Sequence, residues 1–207
     1  MNIITHAAGL CMGIVACIIL TVHALKTGNA LYIAAFTIYG ISLVLLYGAS
    51  TLYHYAKGEK LRNFMHIADH SAIYVLIAGT YTPYTLITLH GTIGWTIFLI
   101  VWSLAVTGVI LKFFFTGRFS TLSTAMYVLM GWIIIFAVKP LYINLPLPGF
   151  VWLFAGGIAY TAGAVLYSFD RIRYNHAIFH ILVLIGSICQ FISIYFYVGL
   201  AEKLPTH

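Results

Sequence analysis

Seven long apolar segments constrain this chain more than any other feature of its sequence. Each has 19 to 26 residues and contains no more than one Asp, Glu, Lys or Arg. A helix of about 20 apolar residues crosses the hydrocarbon core of a bilayer, whereas the strands of a membrane β-barrel alternate over about ten residues. We therefore predict an all-α integral membrane protein, a bundle of seven transmembrane helices at residues 3–25, 30–55, 65–89, 92–115, 120–138, 150–169 and 178–198.

The composition excludes a soluble globular fold. Hydrophobic residues make up 62% of the 207 residues, charged residues 7%, and the mean hydropathy is +1.02, which is more apolar side chain than one water-soluble core can hide. The first segment lacks the basic start and the cleavage site of a signal peptide, which predicts an uncleaved helix. We expect residues 1–207 to form one transmembrane domain. Closely spaced prolines predict its longest irregular connection, from Lys139 to Gly149.

Basic residues in the loops predict the orientation. Lys and Arg are enriched in short cytoplasmic loops, so the N-terminus should be cytoplasmic and the C-terminus outside. A net charge of +6 beside anionic lipids needs no nucleic acid to explain it. We expect membrane lipids as partners, and the sequence leaves the oligomeric state open. The face predicted to be cytoplasmic carries Lys57, Lys60, Arg62, Lys112, Arg118, Arg171 and Arg173, and the other face carries Lys26, Lys139 and Lys203.

A pair of histidines begins the last apolar segment. His176 and His180 are four residues apart, so a helix places both imidazoles on one face, where they can converge on one point. Ionisable side chains inside membrane helices are costly and indicate function. The alternative is a pair of interfacial histidines whose rings extend towards the lipid headgroups.

Three further polar side chains are predicted at the same depth. Because catalytic zinc usually has three protein ligands and a water, His54, His176 and His180 form a candidate metal site. The pair lacks the Glu of HExxH metalloproteases, and Asp69 is the one acid inside an apolar segment, which makes it the candidate base. Ser50 shares a helix face with His54, where its hydroxyl could orient a water, stabilise an oxyanion or hold an imidazole. It could equally bond back to the preceding turn.

Three blocks of sequence carry a family resemblance. They are STLYH at 50–54, DHSAIY at 69–74 continuing to AGTYTP at 78–83, and NHAIFH at 175–180. Together with Asn2 and Thr5-His6, they resemble the signatures of the bacterial haemolysin III family. That family is the bacterial branch of the progestin and adipoQ receptors, in a superfamily that also includes alkaline ceramidases. Members of that family often carry a short acidic segment before the first span, and this sequence does not show one.

The resemblance implies a seven-helix fold in the bacterial cell membrane with a zinc ion near the cytoplasmic side. By position, His54, His176 and His180 match the zinc ligands, Asp69 matches the residue that reaches the metal through a water, and Ser50 matches the motif serine.

The other histidines receive lesser roles. His66 and His70 are also four residues apart and could form a rival metal pair, but the resemblance argues against it. We expect His70 to support the site or to pack, and His66 to be interfacial. His6 is expected to line the cytoplasmic mouth. The opposite side or the tail holds His23, His90 and His207.

These features leave three functions open. The first is a zinc-dependent hydrolase of a lipid amide or ester, with ceramide-like amides as an analogy. The second is a non-enzymatic receptor or signalling protein with structural zinc. The third, a pore-forming cytolysin, is least favoured, because the polar residues cluster at one depth instead of forming a stripe through several spans.

Overall fold

Helices account for almost all of the described chain. The computed structural model describes residues 2–116, 120–169 and 175–199. Within these ranges there is no strand, and seven helical segments are long and apolar enough to cross a membrane. The predicted all-α, seven-span class is confirmed. The α-helices are α1 (Asn2–Leu25), α2 (Ala30–Tyr55), α3 (Glu59–Pro83), α4 (Gly91–Phe115), α5 (Ser120–Gly131), α6 (Val138–Asn144), α7 (Leu147–Tyr167) and α8 (Asn175–Tyr197).

The helices pack mainly against their neighbours in the sequence. α1 packs on α2, α2 on α3 and α7 on α8, while α1 also contacts α8. Small residues allow close approach between membrane helices. At Gly40, for example, a Cβ would lie 2.7 Å from the Cα of Cys17 on α1. Large apolar side chains such as Phe114 and Phe136 point outward and are exposed, as expected for a surface that faces lipid.

The third span is the most buried of the seven. α3 reaches Pro83 and continues as one π-helical turn, Tyr84–Leu89, whose side chains are all buried. Proline cannot donate a backbone hydrogen bond, and π turns mark such irregularities. The span ends at His90 and Gly91, which have φ values of 35° and 55°. This central helix carries one wall of the site described below.

The fifth span is broken in its middle. α5 ends at Gly131, a 3₁₀ turn covers Ile133–Ala137, and α6 follows. The Tyr81 hydroxyl of α3 donates to the Gly131 carbonyl at 2.7 Å and accepts from the Ile134 N–H at 2.8 Å. Backbone groups freed inside a bilayer need such internal partners, so one tyrosine stabilises the break.

The prediction of a long irregular connection between Lys139 and Gly149 was wrong. α6 contains Pro140 near its start, α7 contains Pro148 in its first turn, and only Leu145 and Pro146 separate the two helices. The first turn of a helix does not need the N–H that proline lacks. The fifth span therefore extends to Asn144 instead of ending at residue 138.

The orientation predicted from the basic loops leads to a direct test. Reporter fusions after Arg62, Lys139 and His207 should report cytoplasm, outside and outside, because the spans alternate. A cytoplasmic reporter after His207 would contradict both the orientation and the assignment of the site to the cytoplasmic face. Four of the basic residues behind this prediction lie outside the described residues: Arg118, Arg171, Arg173 and Lys203.

Candidate metal centre

Two helix ends bring the three predicted histidines together. His54 lies in the last turn of α2, and His176 and His180 lie in the first two turns of α8. The Nε2 atoms of His54 and His176 are 3.2 Å apart. The rings of His176 and His180 meet edge to face with centroids 4.2 Å apart. Residues 122 positions apart in the sequence thus share one end of the bundle.

The spacing of these nitrogens suits a metal ion. Two imidazole nitrogens that bind one zinc tetrahedrally at about 2.0–2.1 Å lie roughly 3.3 Å apart. The 3.2 Å between His54 and His176 matches this value, and without a metal one ring would donate to the other. Neutral imidazole is also an ordinary zinc donor, so the residues present fit the ion.

His180 is the most unusual side chain of the site. It is 5% exposed, and both of its ring nitrogens are buried without a hydrogen-bond partner. A neutral imidazole always offers one N–H and one lone pair, and buried polar atoms are nearly always partnered. This ring therefore requires an additional partner, and a metal ion would supply one.

A fourth histidine, His6 of α1, lies inside the site. It is 4% exposed, its ring centroid is 3.7 Å from that of His180 and 5.5 Å from that of His54. One ligand atom from each of His6, His54 and His180 can be chosen so that all three lie within 4.8 Å of one another. This set differs from the predicted one, which has His176 in place of His6. We call the four rings of His6, His54, His176 and His180 the histidine cluster.

The position of His6 in the sequence already indicates its depth, although we predicted only that it lines the cytoplasmic mouth. α1 begins at the end of the bundle where α2 finishes and α8 starts. A histidine in the first turns of α1 is therefore at the right depth. What the sequence cannot show is the rotation of α1, which turns His6 inward against His180.

Ser50 and Asp69 connect to the cluster. The buried Ser50 hydroxyl is a hydrogen-bond partner of the Asp69 carboxylate, to which it donates, and its Oγ lies 3.5 Å from the His6 Nε2. The neighbouring Thr51 hydroxyl instead bonds back to the Tyr47 carbonyl at 2.7 Å. The structure therefore places the partly buried acid, the serine and His6 in one chain of contacts.

Asn175 positions the first histidine of α8. Its side-chain oxygen accepts from the His176 N–H at 2.6 Å. Its amide nitrogen donates towards the carbonyls of Tyr167 and Phe169, at 3.4 and 3.2 Å. The start of α8 is thereby tied to the end of α7, which limits where His176 can lie.

His66 and His70 lie close to each other and outside the cluster. Their ring centroids are 4.5 Å apart, and His66 stacks on Tyr53 at 5.1 Å. Among the described residues they do not join a group of three possible ligands. The rival metal pair therefore has only two members.

An internal cavity of about 240 Å³ opens beside the cluster. Its polar end is lined by Ser50, Asp69 and histidines, and its walls by apolar side chains such as Leu76, Phe154 and Val183. At the far end, the Tyr84 hydroxyl donates to the Gln190 Oε1 at 3.0 Å. The cavity is thus a largely apolar chamber with its histidines and its one carboxylate at one end.

The fold and site define a multi-pass membrane protein with an imidazole-rich centre inside one end of its bundle. The family model described as Haemolysin-III related matches residues 1–191. The chain therefore belongs to the haemolysin III-related family, as the sequence blocks predicted. No solved structure matches the chain.

Curated relatives cover most of the chain. Hemolysin-3 of Bacillus cereus is 51% identical over 205 residues, covering 99% of this chain and 91% of the relative. The Hemolysin-3 homolog of Bacillus subtilis (strain 168) is 49% identical over 196 residues, covering 95% of this chain and 92% of the relative. The Monocyte to macrophage differentiation factor of Homo sapiens is more distant. It is 27% identical over 166 residues, which cover 77% of this chain and 68% of the relative. These similarities agree with a multi-pass protein of a bacterial cell membrane.

Proposed function

We propose that the protein is a zinc-dependent hydrolase that cleaves an amide or ester bond of a membrane lipid. The observation that carries this proposal is the placement of His6, His176, His180 and Asp69 at the polar end of a largely apolar cavity. A hydrolytic centre for lipids needs both parts, because the reacting bond and the acyl chain require different surroundings.

Each polar residue has a distinct role in this proposal. His54, His176 and His180 hold the zinc ion. Bound zinc supplies Lewis-acid activation of a water and of a carbonyl oxygen. Asp69 accepts the proton of the attacking water and returns it to the leaving group, as a general base and then a general acid. The Ser50 hydroxyl, which hydrogen-bonds to Asp69, fixes the direction of that carboxylate.

The cavity indicates the substrate class. Its apolar walls exclude water and can accommodate an acyl chain, while the polar end would hold the head of the lipid. Amides resembling ceramide are proposed by analogy with the ceramidases of the wider superfamily.

The second candidate is a non-enzymatic receptor or signalling protein with a structural zinc. His6 favours it, because four imidazoles could fill the coordination sphere, and structural zinc sites are typically closed by four protein ligands. Under the hydrolase proposal, His6 would contact Ser50 and would not bind the metal, which three histidines would hold.

A cytolytic pore receives less support. The Bacillus cereus relative is named Hemolysin-3, and a pore would require a polar path through the bundle. In the described part of the chain, the cavity's histidines and its carboxylate lie at one end, and the bonded Tyr84 and Gln190 side chains lie at the other.

The proposal is tested with purified protein in liposomes that contain ceramides, phospholipids or acyl esters. We expect release of a fatty acid that stops after chelation and returns when Zn²⁺ is restored, because the metal activates the water. Mass spectrometry of both products identifies the cleaved bond. Zinc-loaded protein that consumes none of these lipids would contradict the proposal and leave the structural-zinc alternative.

A further inference from the structure

Lys112 is a buried cation that the proposed reaction does not use. It lies one turn before the end of α4 and is only 5% exposed. Lysines are almost never this buried without a partner, and an ionisable side chain inside a membrane helix indicates function. Lys112 therefore needs an explanation of its own.

The described contacts leave this charge uncompensated. The Lys112 Nζ donates to the Ser123 Oγ at 2.7 Å and lies 5.8 Å from the centre of the Tyr127 ring. Of the two acids in the described residues, Glu59 is exposed and Asp69 hydrogen-bonds to Ser50; neither forms an ion pair with Lys112. An ammonium group has three donors, and Ser123 accepts only one of them.

The side chains next to Lys112 line one corner of the cavity. Ser123, Tyr127 and His70 all line it. The His70 Nδ1 is buried without a hydrogen-bond partner, and the Tyr127 hydroxyl donates to the His70 carbonyl at 3.0 Å, which ties α5 to α3. The Lys112 ammonium and the unpartnered His70 nitrogen therefore both lie beside α5, on the α3–α4–α5 side of the bundle.

We propose that this corner binds the phosphate of an anionic phospholipid headgroup. A phosphate diester brings the missing negative charge and several acceptor oxygens, and lysine binds phosphate as a point charge. Lys112 is one helical turn from the end of its span, which is the depth of lipid headgroups. The acyl chains of the same lipid would extend along the apolar cavity or the adjoining bilayer. Neither zinc nor hydrolysis is required for this binding.

The test measures lipid binding to the full chain in detergent micelles. Native mass spectrometry gives the dissociation constant for phosphatidylglycerol in the wild type, Lys112→Gln and Lys57→Gln. We expect Lys112→Gln to bind roughly 10- to 100-fold more weakly, because a charge-assisted hydrogen bond is lost. Lys57 is an exposed lysine beyond the end of α2, at the same end of the bundle, so Lys57→Gln should bind like the wild type.

Two further variants keep the test decisive if Lys112→Gln folds poorly. Lys112→Arg retains the charge and should retain most of the binding, whereas Ser123→Ala should weaken it by a smaller factor. Oleate and inorganic phosphate distinguish the ligand source: the proposal expects neither to replace phosphatidylglycerol at equal concentration.

Three outcomes would overturn the proposal. These are unchanged phosphatidylglycerol binding by Lys112→Gln, equal loss in Lys57→Gln, and Lys112-dependent binding of oleate in preference to the phospholipid. Zinc content is measured on the same samples. Because Lys112 lies outside the histidine cluster, the zinc-to-protein ratio of Lys112→Gln should equal that of the wild type, so the lipid site and the proposed metal centre can fail separately.

Discussion

Replacing His180 by alanine should remove zinc from the protein. The two ring nitrogens of His180 are buried without a hydrogen-bond partner. Loss of a residue that only supports a ligand typically weakens metal binding 10- to 100-fold, and loss of a direct ligand should weaken it more. We expect His54→Ala and His176→Ala to have the same effect as His180→Ala. The measurement is the zinc-to-protein ratio after dialysis.

Matched histidine variants control this prediction. His66→Ala removes a ring near the cluster, His90→Ala removes one at the opposite end of the third span, and both should retain zinc. Full zinc occupancy in His180→Ala would reject the proposed ligand set. A zinc loss of similar size in all five variants would indicate unfolding, and helical circular dichroism detects that directly.

His6→Ala separates the two proposed functions. If the His6 ring contacts Ser50 and leaves the metal an open position, the variant should keep its zinc with an affinity reduced about 10- to 100-fold. If His6 is a fourth ligand of a closed site, zinc should be lost as in His180→Ala. Cobalt-substituted protein adds a second readout, because its visible absorption responds to the exchange of an imidazole for water.

Asp69→Asn should abolish turnover while zinc stays bound. Asparagine preserves the size of the side chain but cannot accept the proton, and loss of a general base costs roughly 10²- to 10⁴-fold in rate. Ser50→Ala should reduce the rate by a smaller factor, since it removes only the hydrogen bond that orients the carboxylate. Product release is measured in liposomes and in detergent, with zinc content determined on the same preparations.

A structural zinc predicts a different result for these variants. Asp69→Asn would then change stability or ligand response, and the wild type would consume no lipid. The decisive comparison includes His176→Ala, in which the metal itself should be lost. Turnover that survives both Asp69→Asn and His176→Ala would come from another site or a contaminant, and the hydrolytic mechanism would be wrong.

The sequence by itself determined the class of protein and the depth of most site residues. The bilayer fixes the length of a spanning helix, so seven long apolar segments are enough to count the spans. Helical periodicity places side chains four residues apart on one face, which brings His176 and His180 together without tertiary information. Alternation of the spans then puts Ser50, His54 and Asp69 at the same end.

Only the tertiary structure decided which side chains at that depth face one another. The rotation of α1 turns His6 against His180, and the Lys112 side chain of α4 is buried with its Nζ against Ser123 of α5. Neither follows from periodicity, because apolar residues surround a membrane helix on every side and hydrophobicity does not single out its inner face. The prolines show the same limit. Pro140 and Pro148 fit into first helical turns, and the Tyr81 contacts that stabilise the break in the fifth span join residues 50 or more positions apart, a pairing that local sequence does not encode.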